Sequence, residues 1–272
     1  MAKTESPLPG PVTGFRLVPM QRFAQGGRWR TEAMRSYSTP VLYWFTRGQG
    51  RITISGLTRG YGPHNAILLP AGTMHGFDMM GQVIGSALFF PRDSGIEMPD
   101  DPLHLRLREA QHQGEMAFQI DNIQRELELG AEAMERALLH HAGLLAVWLE
   151  RHAWPVGATA EGPDSRAAER LVAAFTALLE RDFRKAQGVA DYAAALGVTA
   201  THLSRCCKAA SGRTASVLLH DRLHYEARKM LRDTRLPIKD VAASLGFRSA
   251  AYFTRAFQHQ TGQTPSAFRK AD

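Results

Sequence analysis

Apolar positions change their period along the chain. Between Phe15 and Pro91 they fall into short runs rich in aromatic and β-branched residues: Val41 to Thr46, Arg51 to Ser55, Ala66 to Leu69 and Val83 to Phe90. The stretches Arg47-Gly48-Gln49-Gly50, Ser55-Gly56-Leu57 and Pro70-Ala71-Gly72 separate them. Short runs punctuated by glycine and proline predict the strands of an antiparallel barrel or sandwich. From about Leu103 to Ala153 the step lengthens to three and four, through Ile120, Ile123 and Leu127, then Met134, Leu138 and Leu139, then Leu145, Trp148 and Leu149. That period predicts two or three amphipathic helices. Farther on, Leu171, Val172, Phe175, Leu178 and Leu179 form the stripe of another helix, capped by Asp164 or Ser165. Ala215 to Asp233 reads as a long helix with Val217, Leu218, Leu223, Ala227, Met230 and Leu231 inward.

The last hundred residues hold one pattern twice, about fifty residues apart. Leu196-Gly197-Val198, Leu203-Ser204-Arg205 and Gly212-Arg213-Thr214 recur as Leu245-Gly246-Phe247, Phe253-Thr254-Arg255 and Gly262-Gln263-Thr264-Pro265. Each copy reads as helix, tight turn, helix, over about Val189 to Ser211 and Ile238 to Thr261, which is the unit that lays its second helix in a DNA major groove. Thr199 and Ser249 are natural N-caps. Leu203, Cys206 and Cys207 face inward in the first copy, as do Phe253, Ala256 and Phe257 in the second. Outward stand Thr201, His202, Ser204, Arg205 and Lys208, and in the second copy Ala250, Ala251, Thr254, Arg255 and Gln258. Such side chains can bond base edges and phosphates.

Charge follows the same division. The net charge of the chain is +7. Residues 166–272 carry 18 Lys and Arg against 9 Asp and Glu, so the preceding part is slightly acidic. A basic segment that coincides with the repeat suits a phosphate-neutralising surface. No stretch approaches the length of an apolar spanning helix and the first residues lack a signal-peptide core, so the expected location is cytoplasmic, with no membrane partner. The adjacent Cys206 and Cys207 are expected to be buried reduced thiols.

The residues from Val189 to Lys270 resemble the DNA-binding domain of the AraC/XylS family of bacterial transcription regulators. The run Ile238-Lys239-Asp240-Val241-Ala242, Leu245-Gly246-Phe247, Tyr252-Phe253-Thr254-Arg255-Ala256-Phe257, Gly262 and Thr264-Pro265 carry the likeness. The resemblance implies base reading by Thr201, Ser204 and Arg205 and by Ala251, Thr254 and Arg255. The full candidate DNA-contact set is Thr199, Thr201, His202, Ser204, Arg205, Lys208, Arg213, Thr214, Arg248, Ser249, Ala251, Thr254, Arg255, Gln258 and Thr264. Ala215 departs from the proline common in the family. Ala250 and Ala251 give the second helix little hydrogen-bonding capacity, so the first copy is the expected discriminating reader and the second an anchor.

The strand-rich part is similar to the cupin-type sensor domain of many family members, through Arg47-Gly48-Gln49-Gly50, the run from Gly62 to Leu69 and Pro70-Ala71-Gly72-Thr73-Met74-His75. Candidate effector contacts are Trp29, Arg35, Tyr37, Tyr43, Phe45, Arg47, His75, Phe77 and Met79, with alternation placing Tyr43, Phe45 and Arg47 on one strand face. An inward Arg favours an acidic or hydroxylated effector. His75 alone cannot hold a catalytic metal that wants three protein ligands, so no metal, cofactor or enzymatic activity is expected. The expected fold is α+β in two domains, a cupin-like β-barrel with following helices and an all-α domain with two helix-turn-helix motifs. Their expected order is an arm at 1–14, an effector-binding and dimerisation domain at 15–153, a linker at 154–165 and the DNA-binding domain at 166–272. The expected function is effector-controlled regulation of transcription, activation rather than repression. Its partners would be double-stranded promoter DNA, a small-molecule effector, RNA polymerase and a second copy of the chain. A constitutive DNA-binding regulator with a side-chain-filled barrel is the alternative.

Overall fold

The computed structural model describes residues 14–24, 29–153 and 163–271. The arm up to residue 13 and most of the expected linker, 154–162, lie outside the described residues. Two short helices, α1 (Met20–Ala24) and α2 (Trp29–Glu32), follow the strand β1 (Arg16–Pro19). The sheet continues with β2 (Val41–Ile54), β3 (Leu57–Tyr61), β4 (Asn65–Leu69), β5 (His75–Phe89) and β6 (Leu103–Arg106). All pairings are antiparallel, in the order β1-β5-β2-β4-β6 with β3 also on β2. No pairing joins the edge strands β1 and β6 among the described residues, so the barrel is an open, bent sheet.

Strands β2 and β5 differ from the expectation in length. The glycine-bearing stretch Arg47 to Gly50 reads as a turn but is a bend inside one strand, with register shifts between Phe45 and Arg47 and between Arg47 and Gln49. Gly48 adopts φ +87°, and a Cβ there would lie 2.4 Å from the Gln82 carbonyl. Glycine in a strand marks such a bulge or close approach. The bulge also corrects the alternation: Tyr43 and Phe45 point into the sheet's concave core, whereas Arg47 is exposed. The strand β6, inside the segment expected to be helical, pairs with β4 from Asn65↔Arg106 to Leu68↔Leu103.

Both sheet faces are covered, which accounts for the unbroken apolar runs in β2 and β4. Val41, Tyr43, Phe45, Ile52, Ile67 and Phe77 pack with one another on the concave face. Leu42, Trp44, Ala66, Leu68 and Leu88 on the other face meet α3 (Ala110–Leu129) and α4 (Met134–His152) through Met116, Ile120, Ile123, Leu138, Leu145 and Leu149.

Seven helices complete the described chain: α5 (Pro163–Asp182), α6 (Val189–Ala195), α7 (Ala200–Ser211), α8 (Ala215–Asp233), α9 (Ile238–Ser244), α10 (Ala250–Thr261) and α11 (Pro265–Ala271). Helix α5 begins at Pro163, so 163–165 are its first turn rather than linker. Its Val172, Phe175 and Leu179 enter a core with Leu203, Leu218, Leu231, Phe253 and Phe257. Val217, expected inward on α8, is exposed, because the Thr214 cap starts the helix with Ala215 and Leu218 on its buried side. Cys206 and Cys207 are buried free thiols, and burial pushes Cys207 up to about 12, so it stays protonated at neutral pH.

The strand-rich and helical halves share an interface. Met34 and Met74 join the helical core, and the Trp29 ring sits 6.1 Å from Tyr225 and 6.0 Å from Phe268. Arg228 and Arg232 lie over that indole. Thr58 donates to the Ser211 carbonyl at 3.4 Å, and Arg213 to that of Glu32 at 3.3 Å.

Candidate nucleic-acid interface

The two copies of the repeat close their turns alike. Val198 N–H donates to Ala193 O and Gly197 N–H to Ala194 O, while Phe247 N–H donates to Ala242 O and Gly246 N–H to Ala243 O. This paired pattern is the Schellman ending of a helix, which needs a left-handed residue after the last turn. Gly197 and Gly246 supply it at φ +68° and +76°. Gly246 is constrained further, since a Cβ there would stand 2.7 Å from the Arg184 carbonyl.

Each recognition helix then starts on a capped first turn. The Thr199 hydroxyl accepts from His202 N–H and the Ser249 hydroxyl from Tyr252 N–H, both at 3.2 Å. With Leu203, Cys206 and Cys207 buried, α7 exposes Thr201, His202, Arg205 and Lys208 and half-exposes Ser204. Burial of Phe253 and Phe257 likewise leaves Ala251, Arg255 and Gln258 exposed on α10, with Thr254 half-buried. Arg248 stands exposed in the turn before it. Among the described residues Arg205, Lys208, Arg248 and Arg255 have no ion-pair partner, so each keeps its full charge for an incoming anion.

Besides the caps Thr199 and Ser249, three more of the expected DNA contacts have other work in the structure. Arg213 is held by Asp221 at 2.8 Å and by the Glu32 carbonyl, at the interface between the halves. Thr214 and Thr264 cap the next helices by accepting from Val217 N–H at 3.4 Å and Ala267 N–H at 3.2 Å. Those helix starts bring in residues the sequence reading passed over. Val189, Thr201, Ser204, Arg205, Lys208, Thr214 and Ser216 line one open concavity of about 650 Å³ beside α7. Ser216 recurs fifty residues later as the exposed Ser266, and the repeat itself was the signal that could have found both. Tyr252, 58% exposed, was missed as well; it occupies in α10 the place that His202 holds in α7.

The effector candidates divide between two places. Tyr43, Phe45, His75 and Phe77 are buried together in the concave face of the sheet, where rings fill the space: Phe45 lies 4.2 Å from Tyr61 and Tyr43 lies 4.7 Å from Phe77. His75 Nδ1 faces Thr73 O at 2.9 Å and Nε2 faces the Tyr43 hydroxyl at 3.0 Å. A neutral ring that donates from Nδ1 and accepts at Nε2 satisfies both contacts. Burial, with Arg35 adding to it, lowers His75 to about 3. Met79 is half-buried at the rim of this cluster. Trp29 and Tyr37 belong to the interface, the latter in a cleft of about 740 Å³ with Arg16, Arg92, Tyr225, Lys229 and Arg232.

Arg35 lies between these places and is 1% exposed. Its Nη2 donates to Thr31 O at 2.8 Å, whereas Nε and Nη1 are buried without a hydrogen-bond partner among the described residues. The guanidinium sits 5.8 Å from both the Phe77 and the Tyr225 ring centres.

The profile of a helix-turn-helix domain family matches residues 192–271. The probable transcription factor PqrA of Proteus vulgaris is 32% identical over 105 residues, which cover 38% of this chain and 86% of PqrA. The chain belongs to the AraC/XylS family. AraC/XylS proteins are transcription regulators. The uncharacterised regulator YfiF of Bacillus subtilis (strain 168) is 35% identical over 79 residues, 29% of this chain. The chain thus spans only 25% of the length of YfiF. Among solved structures, ToxT from Vibrio cholerae O395 aligns over 94% of this chain and 97% of its own, at 12% identity and a TM-score of 0.40. Among the described residues no helix is long and apolar enough to cross a membrane.

Proposed function

We propose that this AraC/XylS protein regulates transcription by laying α7 and α10 into successive major grooves of promoter DNA, under the control of a small acidic effector. What supports DNA reading is the pair of matched, capped helices whose outward faces carry unpaired cations. Helix α7 offers Thr201, Ser204 and Arg205 to base edges and Lys208 to phosphate, and Ser216 adds a contact from the start of α8. Helix α10 offers Arg255 and Gln258 after two alanines, and so anchors more than it discriminates. On a site selected from random DNA, Arg205→Ala is expected to weaken binding about 10- to 100-fold and to relax preference at one base pair. Arg255→Ala should cost affinity more evenly across sequences. Equal losses on selected and random DNA for Arg205→Ala would assign that side chain to a phosphate.

Effector control rests on Arg35. A guanidinium buried with two N–H-bearing nitrogens unmatched is costly unless an anion completes it. The adjoining cationic cleft, with Arg16, Lys229 and Arg232, suits the same charge. Because both halves of the protein contribute to this place, an anion there would couple effector binding to their docking. Pairing of two chains through Phe118, Leu144 and Val147, apolar side chains that α3 and α4 expose, suits a regulator that binds paired half-sites. A panel of carboxylates with apolar tails should include members that raise the Tm of the full chain and do not raise that of Arg35→Met. If no member acts, or the variant responds equally, the constitutive reading with a side-chain-filled barrel replaces this one.

A further inference from the structure

Far from the DNA-facing helices, the start of α3 and the end of α4 bring together two histidines and a glutamate. His112 and Glu115 are three residues apart on α3 and therefore share a face. Helix α4 returns alongside, and its last residue, His152, meets them. The three side chains offer ligand atoms within 4.8 Å of one another, and the two imidazole centres are 4.6 Å apart.

Two of the three are oriented by hydrogen bonds to partners outside the group. His152 Nδ1 lies 2.8 Å from the Trp148 carbonyl, so it donates there and leaves Nε2 as the lone-pair nitrogen. His112 Nδ1 lies 3.7 Å from the Glu109 carboxylate, beyond hydrogen-bond reach, so either ring nitrogen can serve as its lone-pair nitrogen. The Glu115 carboxylate accepts from Trp148 Nε1 at 2.8 Å and from Gln111 Nε2 at 2.9 Å. Those two bonds, that from Trp148 foremost, hold the carboxyl below its ordinary value. The Trp148 ring also stacks on His152 at 4.0 Å. Among the described residues no hydrogen bond joins the three to each other. An imidazole held through Nδ1 by a carbonyl with Nε2 left open, as His152 is, has the arrangement found around metal-ligating histidines.

We propose that His112, Glu115 and His152 form a binding site for one divalent transition-metal ion of the zinc class. Two imidazole nitrogens and one carboxylate oxygen favour zinc, cobalt or nickel over calcium or magnesium, which prefer all-oxygen shells. Three protein ligands leave a fourth position for water, and the half-buried setting admits it. Metal–ligand bonds of about 2.0 to 2.2 Å would draw the ligand atoms to about 3.3 Å from one another, a shift that half-exposed side chains accommodate by rotation. The ion would tie the last turn of α4 to the first turn of α3. The chain leaves for the DNA-facing helices immediately after that turn, so metal occupancy would fix where the connection begins.

The test uses the untagged full chain, stripped by a chelator. Calorimetric titration with Zn²⁺ is expected to show one ion per chain. His112→Gln and His152→Gln should each weaken binding by more than about tenfold. His140→Gln, an exposed histidine of α4 outside the group, should leave it unchanged. Titration of the unmutated chain with Co²⁺ provides a reading that does not depend on how the variants fold, and the expected result is a saturable visible band of a four-coordinate ion that excess Zn²⁺ abolishes. Absence of Zn²⁺ and Co²⁺ binding, or binding undiminished in both variants, overturns the proposal.

Discussion

Arg222→Ala is expected to destabilise the helical half by about 3–5 kcal/mol, the range for removing one partner of a buried ion pair. The Arg222 side chain is 5% exposed and spans two carboxylates. Nε and Nη2 hold Glu180 at 2.7 and 3.0 Å, and Nη1 holds Glu226 at 2.9 Å. Arg184 takes the other Glu226 oxygen at 2.6 Å, and the Ser36 hydroxyl donates to Glu180. One guanidinium thus joins α5 to α8 and, through Glu180, reaches the strand-rich half. Alanine would leave the half-buried Glu180 with the Ser36 hydroxyl alone and Glu226 with Arg184 alone.

The same network gives the variant a distinct pH response. Burial alone would raise Glu226, but Arg222 and then Arg184 outweigh it and hold the carboxyl below its ordinary value of 4.5. A carboxyl depressed in the folded state contributes stability that is present above the unfolded value and is lost as pH falls through the folded one. Without Arg222 that contribution shrinks or reverses, so the stability gap between wild type and variant should narrow below about pH 4.5. Urea unfolding at pH 7 and pH 4 reads both effects. A loss below about 1 kcal/mol at pH 7 would mean that the pairs were compensated by water, as at an exposed site.

Raising salt from 50 to 200 mM is expected to cut operator affinity about 40-fold, if Lys208, Arg248 and Arg255 together displace the counterions of three phosphates, at a slope near −2.7. With Arg205 given to base edges, these three are exposed cations of the recognition faces without an ion-pair partner among the described residues, so their charge is available to phosphates. Arg213 is excluded because Asp221 already neutralises it. Arg213→Ala should therefore leave the salt slope unchanged, whereas Lys208→Ala should reduce its magnitude by about 0.9. A slope near zero would remove phosphate neutralisation as the basis of binding.

The repeat was legible because its determinants are local. Thr199 meets His202 three residues on, and Gly197 closes a bond within three positions, so residue type alone carries the geometry. Elsewhere a distant partner decides. Arg47 to Gly50 has the composition of a turn, yet β5 pairs across it and keeps it in a strand. Leu103 to Arg106 lies beside helical sequence, yet the edge of β4 makes it β6. Arg213 sits where a DNA contact was expected, but Asp221 and, far away in sequence, the Glu32 carbonyl claim it. The same limit hid the cluster of His112, Glu115 and His152, since nothing local reveals that the two ends of a helical hairpin meet. The buried Arg35 shows the converse: its type suggested an acidic ligand, and only its burial with two unmatched nitrogens gives that suggestion weight.

The central claim is that one chain reads DNA with both recognition helices. Hydroxyl-radical footprinting of the full chain on a selected site long enough for one bound chain tests it most directly. Two protected segments are expected on one face of the duplex, centred about 10 base pairs apart. Arg205→Ala should erase base preference in one segment and Arg255→Ala should weaken protection of the other. A single protected segment, affected alike by both substitutions, would contradict it.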